Sequence, residues 1–189
     1  VTVGVLALVG AAVGVAGAAS AEDASNLAAV EALSPDLEQN QGRSDALPSF
    51  LVSGDQALPG IRPETSRALG EEDGVTYWIA VNDLNEGCLI ALMPGDDRFA
   101  SMSCVDGDAA WENGLALQVQ DQDQAIRAYF LPDGYSADIP ESEEVGEQLL
   151  VTSAEEAARD LTAYPSSSED EDLKPIELIE LPAADGSIG

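Results

Sequence analysis

The chain has 189 residues, 45% of them hydrophobic, with Lys+Arg 7 against Asp+Glu 36 and a formal net charge of −29. That length and apolar content suit one domain plus appendages, while so acidic a chain offers no basic patch for nucleic acid and is repelled by an anionic membrane surface. It contains no histidine, which removes Ser-His-Asp and Cys-His nucleophile pairs, His general bases and His metal sites; two cysteines without histidine make no zinc site.

Residues 1–21 carry no charge and consist mostly of Val, Leu, Ala and Gly. A helix of that length, rising about 1.5 Å per residue, spans a bilayer core of about 30 Å. The run also ends in Ala19-Ser20-Ala21, a small-residue cleavage site before Glu22-Asp23. The segment therefore reads as a transmembrane anchor or a secretory signal. Either way the remainder is expected outside the cytoplasm: membrane-anchored through residues 1–21, or secreted after cleavage at Ala21. Residues 22–44 read as a helical stalk and linker, with Leu27, Val30 and Leu33 at helical spacing and Ser34-Pro35 as the stop. Asp45–Val52 is a short helix candidate, and 53–63, with Gly54, Pro59, Gly60 and Pro63, reads as a loop.

The β pattern begins at Thr65. Thr65–Leu69 is a short strand, Gly70–Gly74 a turn, and Val75–Val81 a strand of β-branched and aromatic residues. Cys88–Met93 is an apolar run of strand length. Phe99–Val105 alternates small polar with apolar residues, and Pro94–Arg98 between them is turn chemistry. Folding the chain about Asp96 sets Cys88 opposite Cys104, Ile90 opposite Met102 and Leu92 opposite Ala100. Directly opposed residues of an antiparallel pair can touch, so Cys88 and Cys104 are expected to form a cross-strand disulfide. Asp106–Gly114 reads as a loop with one helical turn around Ala109–Trp111. Leu115–Gln120 and Ala125–Leu131 form a second hairpin through Asp121–Gln124, and Pro132–Tyr135 is a turn. Alternation puts Tyr77 and Trp78 on opposite faces, so at most one of them lies deep in a one-sided core.

Ile139–Gly146 reads as an acidic loop and Gln148–Thr152 as a strand. Ser153-Ala154-Glu155-Glu156 is a capping box opening a helix through Ala163. The expected fold is thus mainly β (α+β): an antiparallel meander of five to six strands with short flanking helices, over 45–164, preceded by the N-terminal transmembrane or signal helix. Residues 165–189 form an acidic tail. Its apolar segment 176–181, with Ile176, Leu178, Ile179 and Leu181 bracketed by Pro175 and Pro182, either docks on its own domain or adds to a partner's sheet edge.

The runs Ser66-Arg67-Ala68-Leu69-Gly70, Gly74-Val75-Thr76-Tyr77-Trp78, Gly87-Cys88-Leu89, Ser103-Cys104, Gly114-Leu115-Ala116-Leu117 and Leu131-Pro132-Asp133-Gly134 lie within about residues 60–135. This stretch resembles a class of uncharacterised actinobacterial membrane-anchored extracytoplasmic proteins with a small two-cysteine β-domain. The resemblance implies an address and a domain type, and no catalytic residue.

Two functions are expected from different classes. The first is a non-catalytic, membrane-tethered extracytoplasmic module that assembles with a cell-envelope or membrane protein partner, such as an accessory subunit, with no cofactor and no nucleic acid. The second is a secreted acidic-site hydrolase acting on cell-wall polymers through two facing carboxylates. The aromatic residues Trp78, Trp111, Tyr77, Tyr129 and Tyr135 could line a groove in either. A meander would gather Glu71, Glu72, Asp73, Asp96, Asp97, Asp121 and Asp123 at one end, and Asp83, Glu86, Asp106, Asp108 and Asp133 at the other. No EF-hand spacing accompanies them: counted from Asp83, position six is Cys88 and position twelve is Pro94. Millimolar calcium is accordingly expected to raise the melting temperature no more than sodium of matched ionic strength, since screening alone relieves the repulsion. A calcium-specific rise in calorimetry would refute this.

Overall fold

Strand-forming sequence fills the middle of the chain, and the computed structural model describes residues 21–95, 99–120, 125–154, 161–167, 173–179 and 181. The anchor or signal segment before residue 21, the hairpin tip 96–98, the turn 121–124, residues 155–160 of the expected capping-box helix, 168–172 of the acidic run, residue 180 and the tail after 181 lie outside the described residues. Helix α1 is Ala21–Glu31, α2 is Ser49–Val52 and α3 is Gly107–Asn113, with a 3-10 turn at Pro35–Glu38. The strands are β1 (Ile61–Glu72), β2 (Val75–Asn82), β3 (Gly87–Leu92), β4 (Ala100–Val105), β5 (Leu115–Gln120), β6 (Ala125–Phe130), β7 (Tyr135–Ala137), β8 (Glu143–Val145), β9 (Leu149–Ser153), β10 (Thr162–Pro165) and β11 (Ile176–Glu177). Among the described residues no helix is long and apolar enough to cross a membrane.

The fold is mainly β with antiparallel sheets and short helices, and the expected single meander is corrected to three sheets. Their strand orders are β1-β2-β3-β4, β5-β6-β9-β8 and β11-β10-β7. The reason lies at α3. Asp106 caps it by accepting from the Ala109 N–H at 2.8 Å, and Gly114 ends it at φ 67°. The helix replaces the tight turn a meander needs and carries the chain from the first sheet to the second. Strands β4 and β5 then lie side by side without ladder pairing, as do β1 and β8.

The inner faces of the two four-stranded sheets enclose the main core: Tyr77, Ile79 and Val81 of β2, Leu89 and Ala91 of β3, Leu115 and Leu117 of β5, and Phe130 of β6. Val30, Leu33 and Leu37 close one end of it. The segment expected to be a stalk therefore packs into the domain. Asn26 locks α1 there, donating to the Asn85 carbonyl at 2.9 Å and accepting from the Gly107 N–H at 2.6 Å. Gly107 permits this approach, because a Cβ there would meet the Ala29 Cβ at 2.5 Å.

Both outer faces are also covered. Leu47 and Leu51 pack on Trp78, Ala80 and Ile90 of the first sheet. The third sheet covers Ala116, Tyr129 and Leu150 of the second. Tyr77 and Trp78 are consequently both buried, at 0% and 4% exposure, which corrects the one-sided core expected from alternation. The helix expected through Ala163 is corrected at its end, where Thr162–Pro165 is strand β10 and pairs with β7. Tyr164 precedes a proline, which disfavours helical backbone.

Strand β1 is longer than the Thr65–Leu69 expected, and irregular. Its register shifts between Arg62 and Arg67 and again between Ala68 and Gly70. Pro63 has no N–H for the ladder, and the Thr65 hydroxyl accepts from the Val81 N–H at 2.8 Å in place of a backbone partner. At Gly70, φ is +144° and an added Cβ would meet Val145 of β8 at 2.6 Å, so a glycine sits where the two sheets close on each other.

Arg67 is 6% exposed. Its guanidinium donates to the carbonyls of Asp36 at 2.8 Å, Ser66 at 2.8 Å, Glu64 at 3.3 Å and Gln39, tying the chain after α1 to β1. Arg67→Met would remove the several hydrogen bonds made by this buried guanidinium and is expected to cost about 3 kcal/mol by urea unfolding, against less than about 0.5 kcal/mol for Arg43→Met on the surface. Equal effects would show that Arg67 is dispensable.

Candidate functional site

The cysteine hairpin forms in the predicted register: Cys88 faces Cys104, Ile90 faces Met102 and Leu92 faces Ala100. Cys88 and Cys104 are bonded, with Cα atoms 4.1 Å apart. Leu89 and Ala91 point into the main core, so alternation puts the disulfide on the opposite face of the sheet, the one shared by Ile90 and Trp78. The bond fastens β3 to β4, an edge strand all of whose residues are only partly buried.

The apolar tail segment lies on its own domain as an extended strap. Ile176 pairs with Ala163 and Glu177 with Thr162, and the Leu178 N–H donates to the Leu161 carbonyl at 2.9 Å. Ile176 and Leu178 are buried, and Ile179 and Leu181 pack against the same cluster, which also holds Tyr129, Tyr135, Ile139 and Leu150. One end is pinned by the Tyr135 hydroxyl, which donates to the Lys174 carbonyl at 3.0 Å.

Beside the strap is an open groove of about 570 Å³. Trp111, Glu112 and Asn113 of α3 line one side, Leu173–Glu177 the other, and Tyr135 contributes as well. Trp111 reaches it from a fixed position, since its indole N–H donates to the Ala29 carbonyl at 3.0 Å. Glu112, Lys174 and Glu177 are exposed. Of the five aromatic residues considered for a groove, the structure brings two together here. Tyr77 lies in the main core, Trp78 under α2 and Tyr129 beneath the third sheet. Burial holds the Tyr77 hydroxyl protonated well above the ordinary phenol range, with Glu72 and Asp73 adding to the effect. Burial raises Tyr129 likewise, opposed by the Arg127 charge. Neither phenol is poised for proton transfer near neutrality.

Residue types alone did not indicate the convergence of Glu112, Lys174 and Glu177. The available signal was the chain's one lysine standing immediately before Pro175 and the apolar island. Among the described residues no group of three or more His, Cys, Asp or Glu side chains is placed to hold a metal ion. No family model, curated protein or solved structure matches the chain.

Cys88 and Cys104 are separated by 16 residues, and closing a loop of that size stabilises a fold by about 3 kcal/mol in the chain-entropy model. Replacing both by Ala is expected to remove about that much while leaving the circular-dichroism spectrum unchanged. Mass mapping of unreduced protein should recover the two cysteine peptides linked; two alkylated thiols would overturn the assignment.

Proposed function

We propose that the protein is a non-catalytic, membrane-tethered extracytoplasmic module that binds a cell-envelope partner through the face formed by α3 and the strap. The observation that carries this reading is the strap itself: an apolar segment held at the edge of a small sheet, with an open groove alongside. Burying an aliphatic side chain gains about 1.5–3 kcal/mol, and ordering backbone costs about 1–2 kcal/mol per residue. For four aliphatic residues within six the two terms are of similar size, so the strap's hold on its own domain is marginal. A partner lying across strap and groove adds its own burial and stabilises the docked state by mass action.

The disulfide is compatible with an oxidising, extracytoplasmic location. The uncharged run 1–21 leads into α1 with no spacer. A bilayer anchor there would hold the domain close to the membrane, with the α1 end inward. Among the described residues the groove offers the hydrolase reading a carboxylate pair, Glu112 and Glu177. Cleavage of purified wall polymer that is lost in Glu112→Gln would select it.

Deletion of residues 165–189 tests the module. The truncated domain is expected to stay folded, losing no more than about 2 kcal/mol given the near balance of burial and ordering. A partner that co-purifies with the full chain in mild detergent should be lost. A full chain that always emerges alone, or a truncation that unfolds the domain, would defeat the proposal.

A further inference from the structure

We infer that the groove between α3 and the strap receives an arginine side chain from an extended segment of the partner, an inference that rests on the binding-module reading and supplies its chemistry. The groove presents two aromatic residues, Trp111 and Tyr135, with Glu112 on one side and Glu177 on the other. The polar ends of both aromatics are already engaged: the Trp111 indole N–H on Ala29, the Tyr135 hydroxyl on Lys174. Tyr135 is 8% exposed and serves mainly as the groove's floor, so what remains for a ligand is the part-exposed indole of Trp111. Ring faces attract cations, and a guanidinium suits them best, being flat, weakly hydrated and able to fork onto a carboxylate.

Size and charge agree with this occupant. At about 570 Å³ the open groove has room for an arginine side chain. The two carboxylates come from different elements, α3 and β11, so a cation between them is flanked from both walls. The formal charge of −29 steers cationic segments toward the domain and disfavours acidic ones. Lys174 lines the same groove. Its ammonium opposes an incoming guanidinium, so the inference carries a directional consequence: removing that charge should tighten binding.

The test is a titration of the full chain with acetyl-Gly-Arg-Gly-amide, followed by the two indole N–H signals in NMR. Trp111 is expected to shift, while Trp78, buried under α2, serves as the internal reference. Glu112→Gln/Glu177→Gln should weaken binding about tenfold or more, the scale of losing the carboxylates' charge-assisted hydrogen bonds to the guanidinium. Glu143→Gln/Glu144→Gln, which removes equal charge from exposed positions of β8, should leave it unchanged. Lys174→Gln should strengthen it. Signal dispersion in the same spectra reports that each variant is folded.

The inference is overturned if Trp111 does not move, if the neutral Gly-Gln-Gly analogue moves it equally, or if both double variants weaken binding alike. The last outcome would mean general attraction to an acidic chain. If the arginine peptide fails while a partner is still captured and still depends on residues 165–189, the groove chemistry falls alone. If the peptide binds and no partner is ever found, the module reading falls and the groove stands.

Discussion

The constraint on which this structure depends is that its central strands are apolar on both faces. Strand β2 sends Tyr77, Ile79 and Val81 one way and Trp78 and Ala80 the other, and all are buried. Strand β6 does the same with Ala128 and Phe130 on one face and Tyr129 on the other. A single sheet with one wet face would leave half of these side chains in water, at about 25 cal/mol per Å² of apolar surface. The chain answers with layers: two sheets around a shared core, α2 with its flanks on one outside face, the small third sheet on the other. The strap belongs to this last layer, so the proposed binding face is a by-product of covering β6. The docking of Ile176 and Leu178 and the groove beside them have one origin.

What was legible in the sequence was local. The cysteine hairpin could be registered because its two strands are joined by a short turn, and counting from Asp96 settles every pair in a ladder of period two. The helical turn around Ala109–Trp111, which is part of the longer helix Gly107–Asn113, and the hairpin after Gly114 were legible for the same local reason. The third sheet was not: β7, β10 and β11 are two to four residues long, and Ala137 pairs with Ala163 from a distant part of the chain, with no short turn to fix the register. Arg67 was also illegible. Its partners are backbone carbonyls, which every residue possesses, so no residue type at positions 36, 39 or 64 could announce them. Strand β1 was read too short because Pro63 and Gly70 look like loop residues, whereas here they mark breaks in register within one strand. In the candidate site Trp111 and Tyr135 were considered among five aromatics, and only the fold separates them from the three that serve as packing.

Charge is distributed more unevenly than composition suggests. Arg67 and Arg127 are 6% and 2% exposed, so two of the few cations are spent inside. Arg127 donates to Gln118 at 3.1 Å and to the Ala154 carbonyl at 3.3 Å. The surface is therefore more acidic than the formal count implies, and its self-repulsion works against the compact state at low ionic strength. Against that field the placement of Lys174 beside Glu112 and Glu177 gives the groove a charge pattern of its own.

Trp111 ties these features together physically. It packs against both the main core and the cluster beneath the strap, is fastened to the carbonyl of Ala29 in α1, and lines the groove. Helix α3 is pressed onto α1 at Gly107, where no larger residue fits without displacement. The position of the indole is thus set by the helix that closes the main core and that follows directly on the apolar run 1–21. In the tethered arrangement proposed above, the same helix that would orient the domain at a membrane also fixes the aromatic wall of its binding groove.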